Sequence, residues 1–274
     1  MVRMADDRPI GLFDSGFGGL TVARAVIDLL PNEHIVYFGD TGRYPYGPRQ
    51  LEEVRGFAHQ ITRKLVDEHD VKTVIVACNT AAAAALGELE AEAGVPVTGV
   101  IRPGAQSLVE VTRNGRVGVI GTVGTIASGA YQETIHAIAG DRVELACAAC
   151  PGFVEFVERG EFASDQVTVL AERLLAPMVD AKVDSLLLGC THYPYLARTI
   201  GSVMGDEVVL VSSADETAFA VYESLRASGL TRDDNAGPPE RRFISSGDVT
   251  WFADLGRRLL GPELATAEAH AWQQ

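Results

Sequence analysis

The chain has 274 residues, a hydrophobic fraction of 47% and a formal net charge of −14, which suits one large or two medium domains and argues against general affinity for nucleic acid. Four cysteines are too few for a disulfide-stapled fold of this length, and no apolar stretch reaches the length of about 18 residues that spans a membrane. The N-terminal segment lacks the apolar core of a signal peptide, so we expect a cytoplasmic protein.

The chain begins with a predicted strand, a glycine-rich turn and a helix. An apolar run at 9–13 predicts the strand, D-S-G-F-G-G-L follows at 14–20, and an amphipathic helix is expected over 20–30. This order is typical of a βα unit whose backbone N–H groups bind an anion at the start of the helix. The glycines do not match G-x-G-x-x-G, so the pattern does not favour a dinucleotide site.

A second strand at 34–38 places Asp40 at its carboxyl end and is followed by G-R-Y-P-Y-G-P at 42–48. This segment is too rich in glycine and proline for regular structure and is predicted to be a loop. It is either a plain connector or part of a site, and we favour the site because binding groups gather beyond strand ends. For Asp40 itself, an ordinary turn or capping role is the favoured interpretation.

The stretch V-I-V-A-C-N-T at 74–80 predicts a strand at 74–77 that is buried on both faces and ends just before Cys78. The pattern recurs as S-L-L-L-G-C-T-H at 185–192, where Cys190 takes the equivalent place. A strand at 117–120 with G-T-V-G-T at 121–125 likewise resembles the first strand and its turn. These matches predict a duplicated α/β unit, although βα repeats look alike by default.

Apolar periodicity and turn residues predict the other elements. Further helices are expected at 51–69, 80–93, 105–111, 128–138, within 160–179, and at 215–226 and 248–260. Further strands are expected at 97–101, 143–148, 208–211 and 243–246. The tail from residue 262 is predicted to be peripheral.

Cys78 and Cys190 are the strongest candidates for chemistry, because each follows a buried strand at the edge where α/β sheets bind ligands. The alternative is that either is a small buried core residue. His192 could assist a thiol or be an ordinary surface histidine, and Asp14 could act in the site or cap a turn. A zinc site formed by Cys78, Cys190 and His192 is possible on ligand type, although no second shell supports it.

A C-x-x-C motif at Cys147 and Cys150 needs a separate interpretation. It could be a redox pair or half of a zinc site. The chain has no second C-x-x-C, and a redox pair normally opens a helix, whereas here Pro151 follows strand-like sequence. Neither role is favoured.

Five motifs together resemble the glutamate racemase family of the aspartate/glutamate racemase superfamily. They are F-D-S-G-F-G-G-L-T-V at 13–22, G-D-T-G-R-Y-P-Y-G at 39–47, A-C-N-T-A at 77–81, G-T-V-G-T-I-A-S-G-A-Y at 121–131 and L-G-C-T-H-Y-P at 188–194. The resemblance covers nearly the whole chain in family order. It implies an α/β fold of two pseudo-symmetric domains with largely parallel sheets and an active site in the cleft between them. We expect one domain at 1–98 plus 209–274 and the other at 99–208.

The resemblance also implies roles for individual residues. Cys78 and Cys190 would be the two acid/base thiols, with Asp14 assisting Cys78 and His192 assisting Cys190. A glutamate after the C-P dipeptide would contribute as well, and its position matches Glu158, although Glu155 competes because P-G-F-V-E-F-V-E at 151–158 departs from the family pattern. Substrate-binding positions are matched by Asp14, Ser15, Pro45, Tyr46, Gly47, Cys78, Asn79, Thr80, Thr122, Thr125, Cys190, Thr191 and His192.

The function implied is interconversion of L- and D-glutamate, supplying D-glutamate for bacterial peptidoglycan, by a homodimer with no cofactor or metal. Racemisation removes a proton from one face of Cα and delivers one to the other, and two thiols near neutrality suit both steps. The alternatives are aspartate racemase or a decarboxylase of the superfamily, and a two-lobed small-anion binding protein. The negative charge leaves open a secondary protein-binding role that mimics DNA.

Overall fold

The computed structural model describes residues 6–233 and 235–272. Its helices are Leu20–Leu29 (α1), Leu51–His69 (α2), Asn79–Glu92 (α3), Ile101–Val111 (α4), Val123–Ala127 (α5), Ala130–Ala139 (α6), Phe153–Glu158 (α7), Asp165–Asp180 (α8), Ala197–Met204 (α9), Ser213–Ser228 (α10) and Val249–Leu260 (α11). Its strands are Ile10–Asp14 (β1), Ile35–Gly39 (β2), Thr73–Val76 (β3), Val97–Gly99 (β4), Arg116–Gly121 (β5), Glu144–Ala149 (β6), Ser185–Gly189 (β7), Val209–Val211 (β8), Arg241–Ser245 (β9) and Glu268–Ala269 (β10).

The first sheet has six strands in the order β10-β9-β2-β1-β3-β4, and all its pairings are parallel. Every residue of β1, β2 and β3 is buried, because helices cover both faces of the sheet. From β1 the chain passes to β2 on one side and later to β3 on the other. The carboxyl ends of β1 and β3 therefore form a topological switch point, which is where open α/β sheets bind ligands.

The second sheet repeats this arrangement with four parallel strands in the order β6-β5-β7-β8. Here the switch point lies between β5 and β7, whose carboxyl ends lead to Thr122 and Cys190. The matching ends of β1 and β3 lead to Asp14 and Cys78. The duplicated unit predicted from the sequence is thus present, and we call the two sheets with their helices the first lobe and the second lobe.

Several sequence predictions differ from the structure, among them the strand expected at 97–101, which ends at Gly99, and the helix expected at 105–111, which begins at Ile101. Strand β8 pairs with β7 in the second sheet, so the expected boundary between residues 208 and 209 falls on the wrong side of this strand. The helix expected at 128–138 is α6, which begins two residues later; the glycine-rich segment before it, expected to be a turn, contains the short helix α5, and Gly129 adopts a left-handed φ of 76° between the two helices. The tail is not peripheral, since Leu264 is fully buried and β10 extends the first sheet.

Within residues 6–233 and 235–272, no helix has the length and apolarity needed to cross a membrane.

Candidate active site

Residues from both switch points line one cavity. About 90 Å³ of it is open to the centres of water-sized molecules, which is room for on the order of six waters or one small ligand. The lining residues are Ser15, Tyr44, Pro45, Tyr46, Gly47, Pro48, Cys78, Asn79, Thr80, Thr122, Val123, Cys150, Pro151, Gly152, Val154, Glu155, Cys190, Thr191, His192 and Tyr193. Both candidate thiols therefore face the same small space.

Cys78 sits where strand β3 passes into helix α3, as the N-cap residue of that helix. Burial raises the pKa of its thiol to about 12 and the Asp14 carboxylate adds to the rise, while hydrogen bonds from the Ala81 backbone N–H and from Ser15 oppose it. A helix N-terminus favours a thiolate over a thiol. The local backbone thus supports ionisation of Cys78, but burial keeps the thiol protonated at neutral pH.

Asp14 is fully buried and adjoins the cavity without lining it. Its carboxylate accepts hydrogen bonds from the Gly16 backbone N–H at 3.1 Å and from the Thr191 hydroxyl at 3.4 Å. Burial raises the pKa of Asp14, and backbone N–H groups of the following turn oppose that rise. The carboxylate therefore ties the glycine-rich turn of the first lobe to the Cys190 turn of the second.

Cys190 and His192 form the second acid/base candidate pair, with 3.8 Å between Cys190 Sγ and His192 Nδ1. Burial raises the pKa of the Cys190 thiol far above its ordinary value, and the His192 backbone N–H opposes this rise. The His192 side chain is also buried, which lowers its pKa to about 4. The imidazole is therefore neutral at pH 7 and has a free electron pair with which to accept a proton.

Glu158, at the end of α7, places Oε1 3.9 Å from His192 Nε2. Burial raises the pKa of Glu158 to about 7; contact with the Tyr44 hydroxyl opposes the rise, and repulsion from Glu155 adds to it. The Tyr44 hydroxyl, Glu158 Oε1 and His192 Nε2 are shielded from water, and none makes a well-aligned hydrogen bond within the described chain. Buried polar groups without such bonds are stabilised most when a neighbouring group becomes charged, because electrostatic interactions are strong where water is excluded.

Hydroxyl and amide groups on the other side of the cavity join the two lobes. The side-chain oxygens of Thr80, Thr122 and Thr125 form a triangle with separations of 3.0, 3.1 and 2.9 Å. Asn79 Nδ2 donates to the Tyr131 hydroxyl at 2.7 Å, whereas Asn79 Oδ1 has no hydrogen-bond partner within the described residues. The first turn of α3 thus offers an unused acceptor and the Thr80 hydroxyl to a ligand, and the start of α5 adds the Thr122 hydroxyl.

The loop at 42–48 forms part of the cavity wall, as predicted, through Tyr44, Pro45, Tyr46, Gly47 and Pro48. Its far end contacts the second lobe, where the Gly47 carbonyl accepts a hydrogen bond from the Gly124 N–H at 2.9 Å. A Cβ on Gly47 would lie 2.9 Å from Cβ of Thr122, so this close approach requires glycine.

Most of the residues expected at the site are brought together. Asp14, Thr125 and Glu158 adjoin the cavity from behind without lining it, and Glu155 lines it instead of Glu158. Sequence reasoning missed a further group of lining residues, namely Tyr44, Pro48, Val123, Cys150, Pro151, Gly152, Val154 and Tyr193. Their position in the sequence could have identified them as lining residues. Tyr44 and Pro48 lie in the predicted loop, and the others adjoin residues already singled out.

The structure does not support the alternative roles considered for the cysteines, a redox pair or a zinc site. Cys147 and Cys150 are both free thiols, and burial raises their pKa values to about 11 and about 12. A raised pKa makes a thiol a poor redox nucleophile, so the structure does not favour a redox pair. Among the residues that the structure describes, no three His, Cys, Asp or Glu side chains are arranged to hold a metal ion, which also removes support for a Cys78–Cys190–His192 zinc site.

Comparisons with known proteins show which proteins this chain resembles in sequence and fold. A family model described as Asp/Glu/Hydantoin racemase matches residues 19–220. A glutamate racemase of Acidothermus cellulolyticus is 51% identical over 256 residues, which is 93% of this chain and 96% of that protein. Glutamate racemase isoform RacE1 from Bacillus anthracis has a TM-score of 0.90 at 39% identity, over 97% of both chains. Glutamate racemase from Francisella tularensis in complex with D-glutamate has a TM-score of 0.90 at 35% identity, over 97% of this chain and 98% of that one.

Proposed function

Because the chain belongs to the Asp/Glu/Hydantoin racemase family, as its motifs predicted, we propose that it interconverts L-glutamate and D-glutamate with two thiols and no cofactor. The observation that carries the proposal is that Cys78 and Cys190, on matching strand ends of the two lobes, line one cavity of small-ligand size. A carbon held between them has a proton acceptor on one face and a proton donor on the other.

Each direction of the reaction needs one thiolate and one thiol. Burial raises the pKa of both thiols. A neighbouring base therefore has to take the thiol proton before the thiolate can remove the proton from Cα. For Cys190 that base is the neutral His192 ring, at 3.8 Å. The Glu158 carboxylate then stabilises the resulting imidazolium across 3.9 Å. The buried Asp14 carboxylate has the corresponding role for Cys78.

The carbanion formed at Cα also requires stabilisation, which we assign to the polar groups around the cavity. The start of helix α3 presents backbone N–H groups and the Thr80 hydroxyl, and Thr122 opens α5 opposite it. Such preorganised donors stabilise a carboxylate and the charge that develops beside it. Asn79 Oδ1 is placed to accept a hydrogen bond from the substrate ammonium group. That ammonium also lowers the cost of ionising a nearby thiol.

Membership of the family supports a proposal for the wider setting of the reaction. We propose that the product D-glutamate supplies peptidoglycan synthesis, that the protein works in the cytoplasm, and that it is a homodimer. In place of the expected bounds we propose two domains, 1–99 plus 212–274 and 100–211, because β4 pairs with β3 in the first sheet and β8 pairs with β7 in the second. Nucleic-acid binding is not part of the proposal, since the net charge is −14.

The deciding experiment incubates the protein with L-glutamate in heavy water and follows optical rotation together with deuterium at Cα. We expect rotation to decay to zero while solvent deuterium enters Cα. The double variant Cys78→Ser/Cys190→Ser is the control and should do neither, because a serine hydroxyl hardly ionises near neutral pH. A small-anion binding protein would bind glutamate without exchange, and an unchanged double variant would refute the two-thiol mechanism.

Cofactor independence has its own test. The paired-cysteine motifs contain no lysine that could form a Schiff base. After exhaustive dialysis against a chelator, we expect full activity and no visible absorbance from pyridoxal phosphate. Activity that returns only on addition of a metal ion or pyridoxal phosphate would contradict this part of the proposal.

A further inference from the structure

The carboxylate of Asp40 is a buried junction outside the cavity. It is fully buried at the carboxyl end of β2 and accepts hydrogen bonds from four side chains. These are Arg43 Nε at 2.7 Å, Ser246 Oγ at 2.6 Å, Trp272 Nε1 at 2.8 Å and the Tyr46 hydroxyl. A capping or turn role, which the sequence favoured, does not account for these four partners, two of which come from the loop at 42–48 and two from separate C-terminal segments.

Trp272 completes this junction from the C-terminal tail. The Arg43 guanidinium lies between two aromatic rings, 4.0 Å from the Trp272 centroid and 4.1 Å from that of Phe57. Such stacking holds an arginine in place by cation–π attraction. The tail is itself held to the first sheet, since the His270 N–H donates to the Ser245 carbonyl at 2.8 Å.

On its other side the junction leads into the cavity wall. Tyr46, bonded to Asp40, lines the cavity, and the next residue, Gly47, accepts the hydrogen bond from Gly124 at the start of α5. The contacts therefore run without a gap from Trp272 through Asp40 to the loop that lines the cavity.

We propose that the C-terminal tail positions the cavity loop at 42–48, and that Trp272 is a positioning residue acting on substrate binding through Asp40 and Tyr46. The proposal rests on glutamate racemisation only for its kinetic readout. Loss of Trp272 frees Arg43 on one face and removes a donor from Asp40, so the Tyr46 side chain loses its fixed anchor. Binding of glutamate weakens, whereas the thiols are not displaced.

The test compares Trp272→Ala and Trp272→Phe with a matched tail variant, Glu268→Ala. Glu268 lies in the same tail but pairs with Arg242 at 2.8 Å, away from Asp40. We expect Trp272→Ala to raise KM for both enantiomers about tenfold with kcat changed less than about threefold, as loss of uniform binding predicts. Trp272→Phe keeps a ring but loses the N–H and should fall in between. Glu268→Ala should leave KM unchanged.

Two further measurements separate positioning from general stability. If the tail acts through Tyr46, adding Trp272→Ala to Tyr46→Phe should raise KM little beyond Tyr46→Phe alone, whereas multiplied effects would overturn the proposed route. Hydrogen exchange in the ligand-free protein should speed up within residues 42–48 in Trp272→Ala but not in Glu268→Ala, whatever reaction the protein catalyses. Unchanged exchange there, or a lowered Tm with an unchanged KM, would overturn the positioning role.

Discussion

Gly18 offers a sharp test of how closely the two lobes must approach. A Cβ built on Gly18 lies 2.5 Å from Nδ1 and 2.6 Å from Cε1 of His192, and closer still to the Thr191 hydroxyl. Ordinary contacts to carbon are about 3.5–4.0 Å. His192 is only 2% exposed and packs edge-on against Phe17 at 5.0 Å, so its ring has little room to withdraw.

The substitution Gly18→Ala should therefore push the His192 ring or the whole turn by about 1 Å. A misplacement of about 1 Å costs on the order of 100-fold in rate when it affects a reacting group. Overpacking of this kind costs about 1–3 kcal/mol in the free energy of unfolding, which lowers Tm by roughly 2–12 °C for a chain of this size. We expect both effects, with the loss in kcat/KM much larger than instability explains.

The assay measures kcat/KM in both directions, together with Tm. The matched control is Gly87→Ala in helix α3, where an added Cβ meets nothing within 4 Å. There alanine should stabilise the helix by about 0.5–1 kcal/mol and leave kcat/KM unchanged. If Gly18→Ala remains folded with a wild-type kcat/KM, the argument that His192 must stay in place beside Cys190 is wrong.

Three other outcomes follow from the site. Cys78→Ser and Cys190→Ser should each abolish racemisation but retain elimination from opposite enantiomers of threo-3-hydroxyglutamate, because the remaining thiol still faces one side of Cα; folded single variants that racemise at the wild-type rate would exclude the mechanism. The raised pKa of Glu158 makes the folded state bind a proton that the unfolded state loses, so this group reduces stability as pH rises from about 4.5 to about 7, by at most about 1.4 kcal/mol per pH unit. The lowered pKa of His192 acts oppositely between about 4 and about 6.5. Relative to wild type, stability measured by denaturant titration should therefore rise with pH in Glu158→Gln and fall with pH in His192→Asn, and equal slopes would contradict these shifts. Glutamate should be clearly preferred to aspartate in kcat/KM, because a site that pairs two carboxylates rejects a shorter analogue that leaves polar groups unpaired; comparable values for the two substrates would refute this specificity.

Local sequence was enough to predict the α/β class and to single out the two cysteines, whereas the two-domain arrangement and the residue roles were implied by the family resemblance. The apolar runs before Cys78 and Cys190 indicate buried parallel strands without reference to any other part of the chain, because a strand covered on both faces has to be apolar throughout. Functional groups at such strand ends follow from sheet topology. The two cysteines could therefore be singled out from local patterns, whereas the family was predicted from five motifs spread over nearly the whole chain.

Other features depended on packing between segments that are distant in sequence. Only the structure shows that Glu155 lines the cavity while Glu158 stands behind His192, since α7 is short and its orientation depends on the second lobe. The depressed pKa of His192 likewise arises from burial under the first lobe. Local sequence predicted that Asp40 is a turn residue and that the tail is peripheral. In the structure, Trp272 donates a hydrogen bond to Asp40, which lies 232 positions away in the sequence. Burial and long-range hydrogen bonds are properties of the assembled chain, so no local pattern of residues could reveal them.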